Sequence, residues 1–287
     1  MTISEARKEI SEAIIGIYDR DEANNIAEIA LEHVSGLARS DRILRQDNNL
    51  SPDERKLLSQ VVYRLRQHEP IQYITNEAWF AGMKLYVDKN VLIPRPETEE
   101  LVDWVIRDVK RETTNVKKIV DVGTGSGCIA IALKKGLPNA EVWGCDVNDE
   151  TLNIARMNAD TFHAAIDFVT LNFLDREQRR QLPRVDIIVS NPPYLPERDK
   201  EEMKKNVIEF EPATALFVPD NDATIFYQAI ANFGKEKLNK PGSIYVEIHE
   251  SLGRNVIGLF QSQGYEPIEL KKDLQGKDRM VKAILQD

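Results

Sequence analysis

Only two cysteines occur in the 287 residues, Cys128 and Cys145. Their spacing fits no paired-thiol metal motif, and two thiols cannot hold together a small secreted framework. Both read as buried thiols of a reducing compartment. Histidine is as scarce. His33, His68, His163 and His249 are scattered along the chain, none with an acidic partner at ligand spacing, so no metal centre is expected. No apolar run approaches the ~18 residues that a membrane-spanning helix requires. The opening Met1-Thr2-Ile3-Ser4-Glu5 lacks the basic-then-apolar order of a secretory leader, and a cytoplasmic location is expected. Basic charge is also in deficit: 38 Lys and Arg stand against 47 Asp and Glu, a net charge of −9. Neither the first 75 residues nor the remainder is basic. Affinity for nucleic acid comes largely from neutralising phosphates, so a nucleic-acid substrate is disfavoured.

What is present is a change of period along the chain. Through the first 74 residues apolar side chains recur at helical spacing: Ile10, Ile14, Ile15 and Tyr18; Ile26, Ile29, Ala30 and Val34; Leu57, Leu58, Val61, Val62 and Leu65. Ser51-Pro52-Asp53-Glu54 is a helix start, with an N-cap serine, proline at the first helical position and glutamate three residues after the cap. A small helical bundle ending at Pro70 is the expectation for residues 1–74. Residues 75–96 read as a β-hairpin linker, with Trp79–Gly82, Lys84–Val87 and Val91–Ile93 turning at Asp88-Lys89-Asn90 and broken by Pro94-Arg95-Pro96. A helix resumes over Glu97–Lys110. From residue 117 strands alternate with helices. Strands are expected at Lys118–Val122, Glu141–Asp146, Asp167–Leu171, Asp186–Ser190, Ser243–Ile248 and Met280–Leu285. Helices are expected from about Gly127, Glu150, Thr224 and Leu252. Such alternation builds an α/β domain, here residues 97–287, with a mostly parallel sheet whose ligands bind beyond the carboxyl ends of the strands.

Two strand ends carry candidate chemistry. The first strand runs into Gly123-Thr124-Gly125-Ser126-Gly127, where glycine lets the backbone turn sharply and approach a ligand. Amides at a helix start favour an anionic group, and Asp146 at the end of the second strand suits ribose hydroxyls. A dinucleotide would call for glycine at position 128, where Cys128 stands. Gly-x-Gly-x-Gly preceded by Asp121 resembles the S-adenosylmethionine motif of class I methyltransferases. Dinucleotide binding and a merely structural turn remain the alternatives on these residues alone. The fourth strand ends at Asn191-Pro192-Pro193-Tyr194. Two prolines remove two backbone donors and fix two φ angles, leaving carbonyl acceptors in a rigid loop. The Asn191 carboxamide adds an acceptor and Tyr194 a stacking face. That set suits a planar amide or aryl-amine nitrogen, whose lone pair must be drawn out of conjugation before it attacks. An electrophilic sulfonium methyl needs alignment more than a strong base, so the want of a catalytic His or Cys fits.

Taken together, the motifs resemble the protein-(glutamine-N5) methyltransferases of peptide chain release factors, the PrmC/HemK family. The resemblance runs from about residue 64 to the end of the chain. It rests on Glu69–Ile74, Val91–Glu99, Asp121–Gly127, Ser190–Tyr194, Glu211-Pro212, Ala215-Leu216 and Lys277–Arg279. The specific part is Ile93-Pro94-Arg95-Pro96-Glu97-Thr98-Glu99, since DNA adenine methyltransferases share only the Asn-Pro-Pro-Tyr loop. The resemblance implies a seven-stranded class I (Rossmann-like) sheet whose last strand is antiparallel, beside the small all-α domain and the hairpin. It implies S-adenosylmethionine as cofactor, S-adenosylhomocysteine as product, and a class I release factor methylated at the glutamine of its Gly-Gly-Gln motif. Residue by residue, it implies that Gly123, Thr124, Gly125, Ser126 and Gly127 line the cofactor, Asp146 holds the ribose, and Asn172 and Phe173 flank the adenine. Asn191, Pro192 and Pro193 would grip the glutamine, with Tyr194 packed against it. Asn76, Asn172, Asp222-Ala223 and His249 depart from the family pattern, none within the two central motifs.

Other features are weaker. Glu97 and Glu99 either face the cofactor or merely suit a helix start. Arg64 and Arg66 read as solvated charges rather than contacts to a release factor. Two competing functions follow from other classes: N6-adenine methylation of DNA or RNA, which calls for a basic cleft, and a non-catalytic nucleoside-binding module, which calls for a damaged motif.

Overall fold

Capping residues and apolar stripes set the limits of the first helices. The computed structural model describes residues 1–111, 117–203 and 205–286, and the chain divides into two units. The first spans Met1–Glu77 and includes the short helix at Lys205–Ile208. Its helices are α1 (Ile3–Ile14), α2 (Arg20–Ser35), α3 (Arg39–Leu44), α4 (Pro52–Arg66) and α5 (Ile71–Thr75). Thr2 with Glu5, and Ser51 with Glu54, form reciprocal capping boxes at α1 and α4. Ile10, Ile14, Ile26, Ala30, Leu31, Leu58, Val61 and Leu65 close one apolar core. Ile15 and Ile29, expected on the inner stripes, are exposed instead. In α2 the buried face is set by Ala23, Ile26, Ala27, Ala30 and Leu31. Ile29 lies a full 100° step from Ala30 and falls outside that arc. Pro70 does not end the bundle: it caps α5, where its missing N–H costs nothing, and Ile71 and Ile74 join the core. Asn76 ends α5 in the left-handed conformation, φ 56°, which asparagine tolerates better than most residues.

The hairpin differs from expectation. β1 (Glu77–Phe80) pairs with β2 (Met83–Tyr86), and the chain reverses at Ala81-Gly82, not at Asp88-Lys89-Asn90. Both turn residues take positive φ, 48° and 73°, the conformation of the tight two-residue turns that match strand twist. Val91–Ile93 is not a strand.

The second unit begins at Ala78. After α6 (Pro96–Arg111) come β3 (Lys118–Val122), α7 (Cys128–Gly136), β4 (Glu141–Asp146), α8 (Asp149–Thr161), β5 (Ile166–Thr170), α9 (Arg176–Arg179) and β6 (Val185–Ser190). A short pair follows, β7 (Leu195–Pro196) with β8 (Phe217–Val218), with α10 (Lys205–Ile208) and α11 (Ala213–Leu216) lying between them in sequence. The chain closes with α12 (Ile225–Lys237), β9 (Leu238–Glu247), α13 (Gly253–Ser262), β10 (Ile268–Lys272) and β11 (Asp278–Leu285). Seven strands form one sheet in the order β10-β11-β9-β6-β3-β4-β5. β11 is antiparallel to both of its neighbours, while β9, β6, β3, β4 and β5 run parallel. This is the seven-stranded α/β sheet that the motifs imply.

Successive strand residues point to opposite faces, and the two cores follow that alternation. Ile119, Ile187, Val189 and Tyr245 pack with α6 and α7, whereas Val120, Ile188, Ile244 and Val246 pack with α12 and α13. One ion pair crosses the first core. Lys282 Nζ, on β11, donates to Asp108 Oδ2, on α6, at 2.7 Å, and Tyr245 Oη donates to the same oxygen at 3.0 Å. Lys282 and Asp108 are each 5% exposed. Removing Lys282 takes from the Asp108 carboxylate its buried cationic partner and leaves it Arg111, an exposed side chain at 3.2 Å. Lys282→Met is therefore expected to destabilise the fold by about 3 kcal/mol in chemical denaturation, and Asp108→Asn added to it to restore part of the loss.

Candidate active site

The parallel pairing of β3 with β6 determines what can meet at the top of the sheet. The register ends with Val122 opposite Ser190, and Ser190 Oγ donates to the Val122 carbonyl at 2.7 Å. The glycine turn leaves from one strand and the Asn-Pro-Pro-Tyr loop from the next, so two motifs far apart in sequence become neighbours. Strand order reverses between these two strands, the place where open α/β sheets bind ligands.

Within the turn the residues divide their work. The amides of Gly123 and Thr124 both donate to the Cys145 carbonyl at 2.9 Å, pinning the turn to the end of β4. Gly125 N–H donates to Asp146 Oδ2 at 3.1 Å. Gly123 and Gly125 have φ of 72° and 56°, and a Cβ added to either would point into open space. Gly127 has another reason to be glycine: a Cβ there would lie 3.3 Å from the Cα of Ala155, between α7 and α8. Thr124 and Ser126 are each 2% exposed. Thr124 Oγ1 donates to Asp121 Oδ2 at 2.6 Å. Burial pushes the Asp121 carboxyl up to about 7, against the hydrogen bonds from Thr124 and the Ala130 amide. Burial likewise raises Asp146, against hydrogen bonds from the amides of Gly125, Asn148 and Val147.

Beyond β6, the carboxamide of Asn191 is held from behind. Its Nδ2 donates to Thr98 Oγ1 at 3.0 Å, and Thr98 Oγ1 donates to Glu247 Oε2 at 2.6 Å. Thr98 lies in the first turn of α6 and Glu247 is the last residue of β9. Tyr194 is half-buried with its ring 5.9 Å from that of His249, and burial raises its phenol. His249 Nδ1 is within 2.8 Å of Ser251 Oγ.

One cavity of about 340 Å³ joins these strand ends, within the size range of small-molecule sites. It brings together eight of the residues singled out from sequence: Gly123, Gly125, Asp146, Asn172, Phe173, Asn191, Pro192 and Pro193. Thr124, Ser126, Gly127 and Tyr194 stand outside its lining. The Asn172 side chain is partly committed, because Oδ1 accepts from the Leu174 amide at 3.0 Å, which leaves Nδ2 for a ligand. Phe173 is fixed edge-on against Phe233 at 5.4 Å. The cavity also takes walls from Asn90–Leu92 and from Pro212, Phe217 and Ile225, which motif reading does not single out as lining. Thr151 Oγ1 ties the first of these segments down by donating to the Asn90 carbonyl at 2.8 Å.

The Ile-Pro-Arg-Pro-Glu-Thr-Glu run acquires a structural part. Arg95 Nη2 donates to Glu211 Oε1 at 2.6 Å, and the Ile93 amide donates to Oε2 at 3.3 Å. Glu211 is buried, so the run and the Glu211-Pro212 pair form one clasp beside the cavity. Glu97 accepts from Gln275 Nε2 at 3.4 Å. In the helical unit Arg64 is not a free solvated charge: Nε and Nη2 fork onto Glu69 at 2.7 and 2.5 Å.

Two buried acids make stability depend on pH. Asp121 and Glu247 both rise to about 7, burial being the main cause, from an ordinary value near 4. Between those values the folded chain holds protons that the unfolded chain has released. Their contribution is therefore full below pH about 4 and is lost as pH rises toward about 7. Asp121→Asn is expected to flatten that decline, measured as unfolding free energy at steps from pH 4 to 7.

Comparisons with known proteins bear on the fold and the family. The PrmC N-terminal domain model matches residues 3–75, and the Methyltransferase small domain model matches residues 105–217. Among solved structures, a methyltransferase from Pyrococcus furiosus aligns with TM-score 0.52 at 14% identity, over 80% of this chain and 100% of that one. The 16S rRNA N2 G1207 methyltransferase of T. thermophilus, in complex with AdoMet and guanosine, aligns with TM-score 0.51 at 16% identity, over 73% of this chain and 50% of that one. At such identities these two speak for the fold alone. The release factor glutamine methyltransferase of Flavobacterium psychrophilum is 42% identical over 284 residues, 99% of either chain. Identity at that level over nearly the whole of both chains means that the chain belongs to the release factor glutamine methyltransferase family.

Proposed function

We propose that the chain transfers a methyl group from S-adenosylmethionine to the side-chain amide nitrogen, N5, of the Gly-Gly-Gln glutamine in a class I peptide chain release factor. The observation that carries this reading is the single cavity that joins the β3 turn to the Asn191-Pro192-Pro193 loop. The lining fits the cofactor. Gly123 and Gly125 offer backbone with no Cβ in the way. The Asp146 carboxylate stands at the end of β4 as an acceptor for ribose hydroxyls, and Leu171 and Phe173 supply apolar walls for a purine. When bound, the cofactor supplies an electrophilic sulfonium methyl.

The protein's part is to align and polarise the substrate amide. Asn191 Oδ1 receives no protein donor among the described residues, and the Pro192 and Pro193 positions bring no N–H of their own. Two N–H bonds from the glutamine amide to such acceptors localise its lone pair toward the methyl donor. Alignment then accounts for most of the acceleration. No base is needed beforehand, since the proton leaves after methylation. The segment 1–74 is proposed to recognise the protein substrate, a role supported by the match of residues 3–75 to the family's N-terminal domain. Among the described residues no helix is long and apolar enough to cross a membrane.

Incubation with labelled S-adenosylmethionine and either a class I release factor or unmethylated DNA tests the assignment. Label is expected on the Gly-Gly-Gln glutamine, and label on DNA alone would overturn it. Asn191→Ala is expected to abolish transfer while cofactor affinity, measured by calorimetry, stays within about tenfold, or 1.4 kcal/mol.

A further inference from the structure

Behind Asn191 runs a buried polar chain that alignment of the cofactor does not require. Asn191 Nδ2 donates to Thr98 Oγ1, which donates to Glu247 Oε2, and Thr98 and Glu247 are each 2% exposed. The three residues come from the β6 end, the first turn of α6 and the last residue of β9, so the chain ties three elements to one carboxamide.

A hydroxyl carries one proton, and that fixes the polarity of the chain. An ionised carboxylate accepts only, so the Thr98 proton lies toward Glu247. The Thr98 oxygen is then an acceptor, and it selects the amino end of the Asn191 carboxamide. Oδ1 is left facing the cavity. A Glu247 protonated at Oε2, the oxygen that faces Thr98, reverses each step. It donates to Thr98 Oγ1, the threonine proton is released toward Asn191, and the carboxamide turns over to meet it with Oδ1. Its amino group then faces the cavity, donor against the N–H donors of the substrate.

We propose that Thr98 and ionised Glu247 are positioning residues that hold the Asn191 carboxamide with its oxygen toward the substrate amide, so that protonating Glu247 turns the site off. This rests on the reading that Asn191 receives that amide. Glu247 is faced by Arg279 and Arg95, which favour the carboxylate, and by Glu97, which opposes it. The phenols of Tyr194 and Tyr227 and the thiol of Cys128 also lie within its field. Burial is the largest influence, and its carboxyl rises to about 7. The switch therefore falls near neutrality: turnover declines on the acid side as Glu247 takes up its proton.

The test uses the full-length enzyme with release factor as substrate, following kcat from pH 5.5 to 9 and cofactor affinity in parallel. Thr98→Val is expected to lower kcat at least about tenfold, the worth of one hydrogen bond to the reacting amide, with cofactor affinity within about threefold. Thr98→Ser, which keeps the hydroxyl, restores most of the rate. Glu247→Gln is expected to lower kcat and to abolish the acid limb, because its carboxamide cannot ionise. A Thr98→Val enzyme that loses less than tenfold, or a Glu247→Gln enzyme that keeps the wild-type acid limb, overturns the proposal. Cofactor affinity and the serine variant separate this from misfolding. A wild-type enzyme that labels no release-factor glutamine would instead overturn the functional reading on which the proposal rests.

Discussion

The pairing of β3 with β6 is the constraint on which the site depends. It aligns Val122 with Ser190, and the Ser190 hydroxyl closes the gap between the two strand ends. A slip of one residue would send the alternating side chains of β6 to the wrong cores, so hydrophobic burial itself holds the register. The glycine turn and the Asn-Pro-Pro-Tyr loop inherit their separation from that register. Neither motif positions the other directly; the sheet does so for both.

Around this frame the protein places Asp121 and Glu247 where water cannot reach, and Asp146 on the cavity wall. Asp121 supports the turn through Thr124, Asp146 holds the Gly125 amide, and Glu247 stands behind Asn191. Each is raised by burial and partly restored by hydrogen bonds. A buried carboxylate with few partners is costly, and each of these three touches a backbone or side chain that bears on the cavity. The burial that costs stability toward neutral pH also makes these contacts strong and directional.

Much of this is legible in the sequence, for reasons that differ by residue. The six expected strands and the capped helix α4 follow from period and from local caps, which act over a few residues, whereas the count of seven strands is implied by the family resemblance. Asn191–Pro193 and the glycine turn are contiguous, so their chemistry shows in order. Thr98 stands inside the Ile93–Glu99 run and Glu247 inside an expected strand, yet their hydrogen bonds to each other and to Asn191 do not show, because they exist only once α6 and β9 meet behind β6. Thr124 and Gly127 sit inside a recognisable motif yet lie outside the cavity lining, Thr124 bonded to Asp121 and Gly127 packed against Ala155, a division visible only from burial. The hairpin was obscured because Asp88-Lys89-Asn90 is more turn-like in composition than Ala81-Gly82. Asp88 does make a local turn, its Oδ1 accepting from the Asn90 amide at 2.8 Å, but no strand follows it. β10 was obscured as an edge strand whose side chains are only partly covered on either face, which weakens the apolar signal.

The dispersed origin of the cavity walls has a consequence for how the chain matures. Walls come from residues near 90, 123, 146, 172, 191 and 217, stretches far apart along the chain. Contacts so distant along the chain form only after the loops between them have been closed at an entropic cost. A nascent chain that has not yet laid β6 against β3 therefore has no cavity in which to sequester a sulfonium. Competence to bind the methyl donor arrives with the pairing of β6 to β3, and ligand affinity becomes a readout of that step of folding.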